Sequence, residues 1–316
     1  MAAIPQCSLC GSDQVEVIDR IVTAGIAGGY DAAVTSVVAE NLSANDELSF
    51  CRCRECDLRY FWPMITGSSK YYDALQRFSW YYIEDKPEYQ IAKQWVSPGD
   101  RVLEIGCGRG AFATHIHTPH YTGLEFSAEA VQSAVNRGLD VTAEPIEQHA
   151  RKHPQSYDVV CAFQVLEHVA PVEPFIDASV GAMKPGGLLL YCVPSEDSYI
   201  SLLRNAVLNM PPHHVTRWTD QALRSVARVF GLEVVAIDHE ILAPMHVTTY
   251  SALIAERMLR RVLHLEAQKG LLDTSLRQRM LDKAAYRLGR LIEKGLDEEK
   301  LYPRGHSVLA VYRKAA

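Results

Sequence analysis

Between residues 97 and 195, short apolar runs alternate with segments whose apolar residues recur every three or four positions. The runs "RVLEIG" (101–106), "HYTGLE" (120–125), "LDVTA" (139–143), "SYDVVCAF" (156–163) and "LLLYCVP" (188–194) predict five strands. The fourth is almost continuously apolar, as a strand covered on both faces should be. "SAEAVQSAVNRG" (127–138) predicts a helix with Ser127 as N-cap and Gly138 at its end. "VEPFIDASVGAMKPGG" (172–187) predicts another, stopped by Pro185, Gly186 and Gly187. Further helices are expected just after the glycines at 106–110, over 198–210, and from about Thr219. Repeated strand–helix units imply an α/β fold with a doubly wound parallel sheet, whose ligands belong at the carboxyl ends of the strands.

Beyond this block, "GLEVVAIDHEI" (231–241) and "HSVLAVYRKA" (306–315) read as a sixth and a seventh strand. Two stretches of helical period, 248–270 and 274–296, lie between them and predict an inserted helical pair at about 245–300. Capping the pocket and forming a homodimer interface are the two roles open to it. Residues 67–96 are dense in aromatics, with "YYDALQRFSWYY" at 71–82. They read as a helical linker that either lids a pocket, with Tyr81 and Tyr82 offering hydroxyls to a substrate, or packs the N-terminal segment onto the core. The organisation expected is therefore an N-terminal module (1–66), this linker (67–96), and a larger domain (97–316).

The N-terminal module is defined by cysteine. Of eight cysteines, Cys7, Cys10, Cys51, Cys53 and Cys56 crowd the first 60 residues. "CSLC" and "CREC" are Cys-x-x-Cys pairs, a spacing that lets two thiolates of one turn grip one metal ion. Cys7, Cys10, Cys53 and Cys56 would supply a closed tetrahedral zinc site, structural because no position is left for a substrate. Cys51 is the alternative to Cys53. The flanking "CRECDLRYFWP" is similar to zinc ribbons and favours Cys53.

Composition narrows the function. The chain has 316 residues, 48% hydrophobic and 22% charged, which suits a globular protein. No apolar run approaches the roughly 20 residues that a membrane span needs. No basic-then-apolar leader opens the chain, so a cytoplasmic location without membrane partners is expected. A formal net charge of -6 weighs against nucleic acid as a partner.

"VLEIGCGRG" resembles motif I of class I S-adenosylmethionine (SAM)-dependent methyltransferases, and "GLEFS" their motif II. "DVVCAFQVLEHV" and "MKPGGLLLYCVP" are similar to the segments around their fourth and fifth strands. The resemblance implies a Rossmann-like seven-strand sheet ending in an antiparallel hairpin, with SAM consumed and S-adenosylhomocysteine released. It further implies that Glu104, Gly106, Cys107, Gly108 and Gly110 line the methionine end of SAM. Glu125 would bind the ribose, Phe126 would pack near the adenine, and Phe163 and Gln164 would lie beside the sulfonium. Glu144 falls where the family contacts the adenine edge, although many members carry Asp there. Glu104 and Phe126 also have plain structural readings, as a support of the glycine loop and as core.

Methyl transfer to a hydroxyl or a carbon acid requires removal of a proton, and His is the usual base near neutral pH. His168 in "LEHV" falls where the resemblance puts the transferred methyl; it serves as base or holds the loop or the SAM carboxylate. His213 and His214, in the stiff stretch "NMPPHHVTRW" (209–218), border the substrate pocket of similar small-molecule enzymes. His115, His117, His120, His149 and His153 read as solvated. The expected function is methyl transfer from SAM to a small-molecule acceptor, a sugar, nucleotide-linked sugar or secondary metabolite, with His-assisted deprotonation. A zinc-ribbon RNA methyltransferase and a non-catalytic SAM-binding protein are the alternatives.

Overall fold

In a computed structural model describing residues 6–78, 83–266, 270–296 and 298–316, the strands form two sheets. The N-terminal sheet holds β1 (Val15–Val22), β2 (Glu47–Cys53) and β3 (Arg59–Trp62), all antiparallel. The β1–β2 connection carries two helices, α1 (Thr23–Ala27) and α2 (Ala32–Leu42). Asp31 caps α2 by accepting from the Ala33 N–H at 2.9 Å. Val34, Val38 and Leu42, at spacing four, are the face that α2 buries. α3 (Ser69–Leu75), with Ser68 as N-cap, and α4 (Pro87–Ala92) lead into the larger sheet.

That sheet contains β4 (Val102–Ile105), β5 (Tyr121–Leu124), β6 (Asp140–Thr142), β7 (Tyr157–Phe163) and β8 (Met183–Pro194), mutually parallel. The intervening helices are α5 (Ala128–Asn136), α6 (Ile146–Lys152) and α7 (Val172–Ala182). After β8 come β9 (Thr216–Arg217), α8 (Asp220–Phe230) and β10 (Leu232–Ile241). The helical pair α9 (Val247–Val262) and α10 (Leu276–Ile292) follows, and β11 (Arg304–Lys314) ends the fold. The order is β10-β11-β8-β7-β4-β5-β6, with β11 antiparallel to both neighbours. This is the seven-strand mixed sheet that the resemblance implied.

Strand alternation divides the core in two. Leu103, Ile105, Val160, Ala162, Leu189 and Tyr191 point to one face, under α7 and α8. Val102, Val159, Cys161, Phe163, Leu190 and Cys192 point to the other, under α4 and α5. β9 is the exception to sequence order. Its residues pair with β3, so the N-terminal sheet takes its fourth strand from beyond β8. Trp218, just after β9, is fully buried in one cluster with the cysteines and Tyr60. Thr219 caps α8 by accepting from the Ala222 N–H (3.0 Å) while donating to Asp57 Oδ2 (2.7 Å), which couples the cysteine hairpin to the core.

Two predicted helices take another form. The segment 198–210 is two 3-10 turns, Tyr199–Leu202 and Val207–Asn209. Asn205 breaks it, with φ +56°, its N–H bonded to the Leu271 carbonyl (2.9 Å) and its Nδ2 to Asp282 (3.3 Å). Anchoring on α10 and the segment before it outweighs local helical period. Behind the glycine loop only the turn Phe112–Thr114 forms, because the chain must rise at once to β5; Thr118 Oγ1 bonds back to the Asp100 carbonyl at 2.6 Å. The 172–187 helix stops at Ala182, since Met183 already pairs with Tyr157 in the sheet.

Candidate functional site

A cavity of about 610 Å³ opens at the carboxyl ends of β4, β5 and β7. On one side its wall is the loop after β4. Gly106 and Gly110 adopt φ of +69° and +76°, a region that glycine enters without steric cost. A Cβ at Gly106 would also stand 2.5 Å from Val165 Cγ2, so a side chain there displaces either the loop or the turn after β7. Glu125, at the tip of β5, ties the loop down. Its two oxygens accept from the Gly108 N–H (2.9 Å) and the Ser127 N–H (2.8 Å). Each carboxylate oxygen has a second lone pair, so Glu125 can still receive two hydroxyls.

Gly106, Cys107, Gly108, Glu125, Phe163 and Gln164 line this side. Gln164 sits at φ +57°, a costly conformation for a residue with a Cβ. It is held there by its N–H to the Cys192 carbonyl (2.8 Å) and its Nε2 to Ser307 Oγ (3.0 Å). Phe163 packs against Phe112 and edge-on against Tyr89, with ring centres 4.6 and 5.1 Å apart.

Four predicted residues lie off the cavity wall. Gly110 faces Leu139 instead, where a Cβ would stand 2.1 Å from Cδ1. Glu104 is buried beneath the glycine loop and accepts from the Tyr121 hydroxyl at 2.5 Å. Burial pushes its carboxyl up to about 8. Phe126 is 72% exposed, which removes its reading as core. Glu144 bonds to Lys152 and to His149 Nδ1 (2.7 Å), beside α6. His149 was expected in solvent, yet it is buried, with Nε2 against the Tyr157 hydroxyl at 2.7 Å. Ile146, His149 and Ala150 form the inward face of α6, and the helix period carries the His with them.

The opposite side of the cavity is built from the turn after β7 and the loop before β9. Here His168, His213 and His214 meet, with ring centres 4.6–4.9 Å apart. His168 Nδ1 donates to the His213 carbonyl at 2.6 Å, and His214 Nδ1 donates to Asn209 Oδ1 at 3.0 Å. Both bonds leave Nε2 without its proton, because a neutral imidazole carries only one. Both Nε2 atoms face Glu167 Oε1, at 3.8 and 4.0 Å. Burial lowers His168 to about 4 and holds His213 and His214 well below their usual range, so all three rings are neutral near pH 7. Tyr71 and Tyr72 of α3 back the rings, Tyr72 edge-on to His168 at 6.0 Å. Tyr81 and Tyr82 lie outside the described residues.

Glu167 was not anticipated. It is 1% exposed, neither carboxylate oxygen has a hydrogen-bond partner, and burial pushes its carboxyl up to about 8. The available signal was a carboxylate next to His168 in "VLEHV". Glu88, Glu240, Asn209 and His306 also line the cavity and were not singled out. They come from elements far apart in sequence.

Cys7, Cys10, Cys53 and Cys56 converge away from this cavity, every Sγ within 4.8 Å of the others. Cys7–Cys56 and Cys10–Cys53 are 3.4 and 3.6 Å apart. Tetrahedral zinc with Zn–S bonds of about 2.3 Å would space its sulfurs about 3.8 Å apart, so the tetrad fits that ion. Cys51 turns instead toward the Ser49 carbonyl, at 3.7 Å, and stands outside the tetrad. Among the described residues no helix is long and apolar enough to cross a membrane.

Parts of the chain are similar to known proteins. The ubiquinone biosynthesis O-methyltransferase of Klebsiella pneumoniae (strain 342) is 31% identical over 158 residues, covering 42% of this chain and 65% of that relative. The enzyme of that name from Photorhabdus laumondii is 35% identical over 101 residues, 29% of this chain and 42% of its own. The chain thus spans under two thirds of these relatives' length. A SAM-dependent methyltransferase structure from Archaeoglobus fulgidus overlaps 72% of this chain and 95% of its own, at 16% identity and a TM-score of 0.46. Residues 69–237, which run from α3 into β10 and include the glycine loop and the three His of the cavity, match the family described as "Methyltransferase domain". That match takes in more than half of the chain, and the protein belongs to this family.

Proposed function

We propose that the protein transfers a methyl group from SAM to a hydroxyl of a small-molecule acceptor. The observation that carries this is the joining, in one cavity, of a glycine loop pinned by Glu125 and a cluster of bare imidazole nitrogens over Glu167. SAM supplies a methyl group on a sulfonium, already activated for in-line displacement. Gly106, Cys107 and Gly108 would hold its methionine end, with Glu104 supporting them from below. Glu125 would take the ribose hydroxyls, and Phe126, an exposed ring at the tip of β5, would cover the adenine. Phe163 and Gln164 would border the sulfonium. Glu144, committed to His149 and Lys152, is left out of this assignment.

The acceptor belongs beside His168 and His214. Their Nδ1 bonds fix the tautomer, so each offers a lone pair to a hydroxyl. The relatives' name, an O-methyltransferase of ubiquinone biosynthesis, supports oxygen as the methylated atom and a small molecule as acceptor. The tetrad Cys7, Cys10, Cys53 and Cys56 would hold zinc with a structural role.

The test pairs two variants. Glu125→Ala should weaken SAM binding at least about tenfold by calorimetry, the scale for losing charged hydrogen bonds. His214→Ala should cut transfer of labelled methyl at least about tenfold while SAM affinity stays within about twofold, as expected of a group acting on the acceptor. Normal SAM binding by Glu125→Ala would overturn the cofactor assignment. Full activity of His214→Ala would remove that residue from the chemistry.

A further inference from the structure

The three imidazoles gather more closely than a proton-transfer site requires. One ring nitrogen from each of His168, His213 and His214 lies within 4.8 Å of the others. A triangle of that edge has its centre about 2.8 Å from each corner, and zinc–imidazole bonds are about 2.0–2.1 Å, so a closure of about 0.7 Å per ring would complete the bonds. Two of the rings already carry the outer hydrogen bond that metal-ligating His uses to fix its orientation, Nδ1–H to a backbone carbonyl or to a side-chain oxygen. An independent observation points the same way. The Glu167 carboxylate is 1% exposed and unpartnered at both oxygens, an arrangement that a neighbouring cation would compensate.

We propose that His168, His213 and His214 bind one divalent transition-metal ion, zinc by the chemistry of the donors, at the acceptor end of the cavity, with Glu167 beside it. Three neutral imidazoles leave a coordination position open toward the cavity, unlike the closed cysteine tetrad. This deepens the proposed methyl transfer and rests on it for its chemistry. With the ion bound, the imidazole lone pairs are spent on ligation, so the acceptor oxygen would take the open position and release its proton to Glu167 instead of to a His. The O–CH₃ bond then forms as the S–CH₃ bond breaks, leaving the neutral thioether of S-adenosylhomocysteine.

Metal stoichiometry tests the site without reference to turnover. The full chain, stripped with a mild chelator, is titrated with Co²⁺ as a spectroscopic stand-in for Zn²⁺. The expected result is two equivalents, one with thiolate-to-cobalt charge transfer and one without. His168→Ala and His214→Ala should each weaken the second equivalent at least about tenfold while leaving the thiolate band and SAM affinity as controls of folding. Cys53→Ser should lose the thiolate band alone. Glu167→Gln should retain the second equivalent but lower kcat. A single equivalent, or a second one insensitive to both His variants, overturns the metal site. Absence of SAM binding with the second equivalent intact would overturn the methyltransferase reading and leave the metal site standing.

Discussion

At the scale of single residues, Glu104 carries a pH signature. It is buried, accepts a hydrogen bond from Tyr121, and is held up at about 8, against 4.5 for an ordinary Glu. From about pH 4.5 to about pH 8 the folded chain keeps a proton that the unfolded chain has lost. Stability is therefore fully present below the lower value and falls as pH rises through this window. Glu104→Gln keeps an acceptor for Tyr121 but cannot ionise. Thermal melts without ligand should show wild type losing stability, by an order of a few kcal/mol, between pH 5 and 8 relative to the variant. Parallel curves would mean that Glu104 titrates normally. The strand-end carboxylate was legible in "VLEIG", as was Glu125 in "GLEFS". Glu167 was less visible, because its distinguishing property is the lack of a partner, which depends on everything packed around it.

At the scale of elements, the two Cys-x-x-Cys turns were readable from spacing alone, because the geometry is local to each turn. Pleating points Cys51 and Cys53 to the same face of β2, so which sulfur of "CRC" joins them depends on position along the strand. Cys51 and Cys53 both lie along β2, and Cys53 ends it beside Cys56. Cys53→Ser should lose about one equivalent of zinc and lower the melting midpoint by more than about 5 °C, whereas Cys51→Ser should keep the metal. Elemental analysis with a thermal scan decides it; equal zinc in both variants would remove the tetrad as the binding site. The helix expected over 198–210 shows the opposite case. Its apolar spacing suits a helix, but Asn205 bonds to the carbonyl of Leu271 and the side chain of Asp282, contacts that no local window contains.

At the scale of the whole molecule, the insertion between β10 and β11 bears on the acceptor. Thr249, at the start of α9, and His246, just before it, line the cavity, so α9 forms part of its roof. α9 and α10 pack closely at Gly289, where a Cβ would stand 2.6 Å from the Ala252 nitrogen. Gly289→Leu should force the helices apart and cost about 1–3 kcal/mol, as overpacking does. With the roof displaced, KM for the acceptor should rise at least severalfold while SAM affinity, set on the far wall, changes little. An unchanged KM would separate the helical pair from the site.

The sequence by itself determined the strand–helix alternation, the glycine loop, the ends of β5 and β7 and the cysteine pairs, because each is written in contiguous residues at a fixed period or spacing. Only the tertiary structure decided that β9 crosses to complete the N-terminal sheet, and that Tyr71 and Tyr72 back the imidazoles. It alone brought His168 together with His213 and His214 over an unpartnered carboxylate. Contacts between residues 45 positions apart depend on how β8 and the loop after it return to the end of β7, and on the burial that results. Neither has a local signature in the chain.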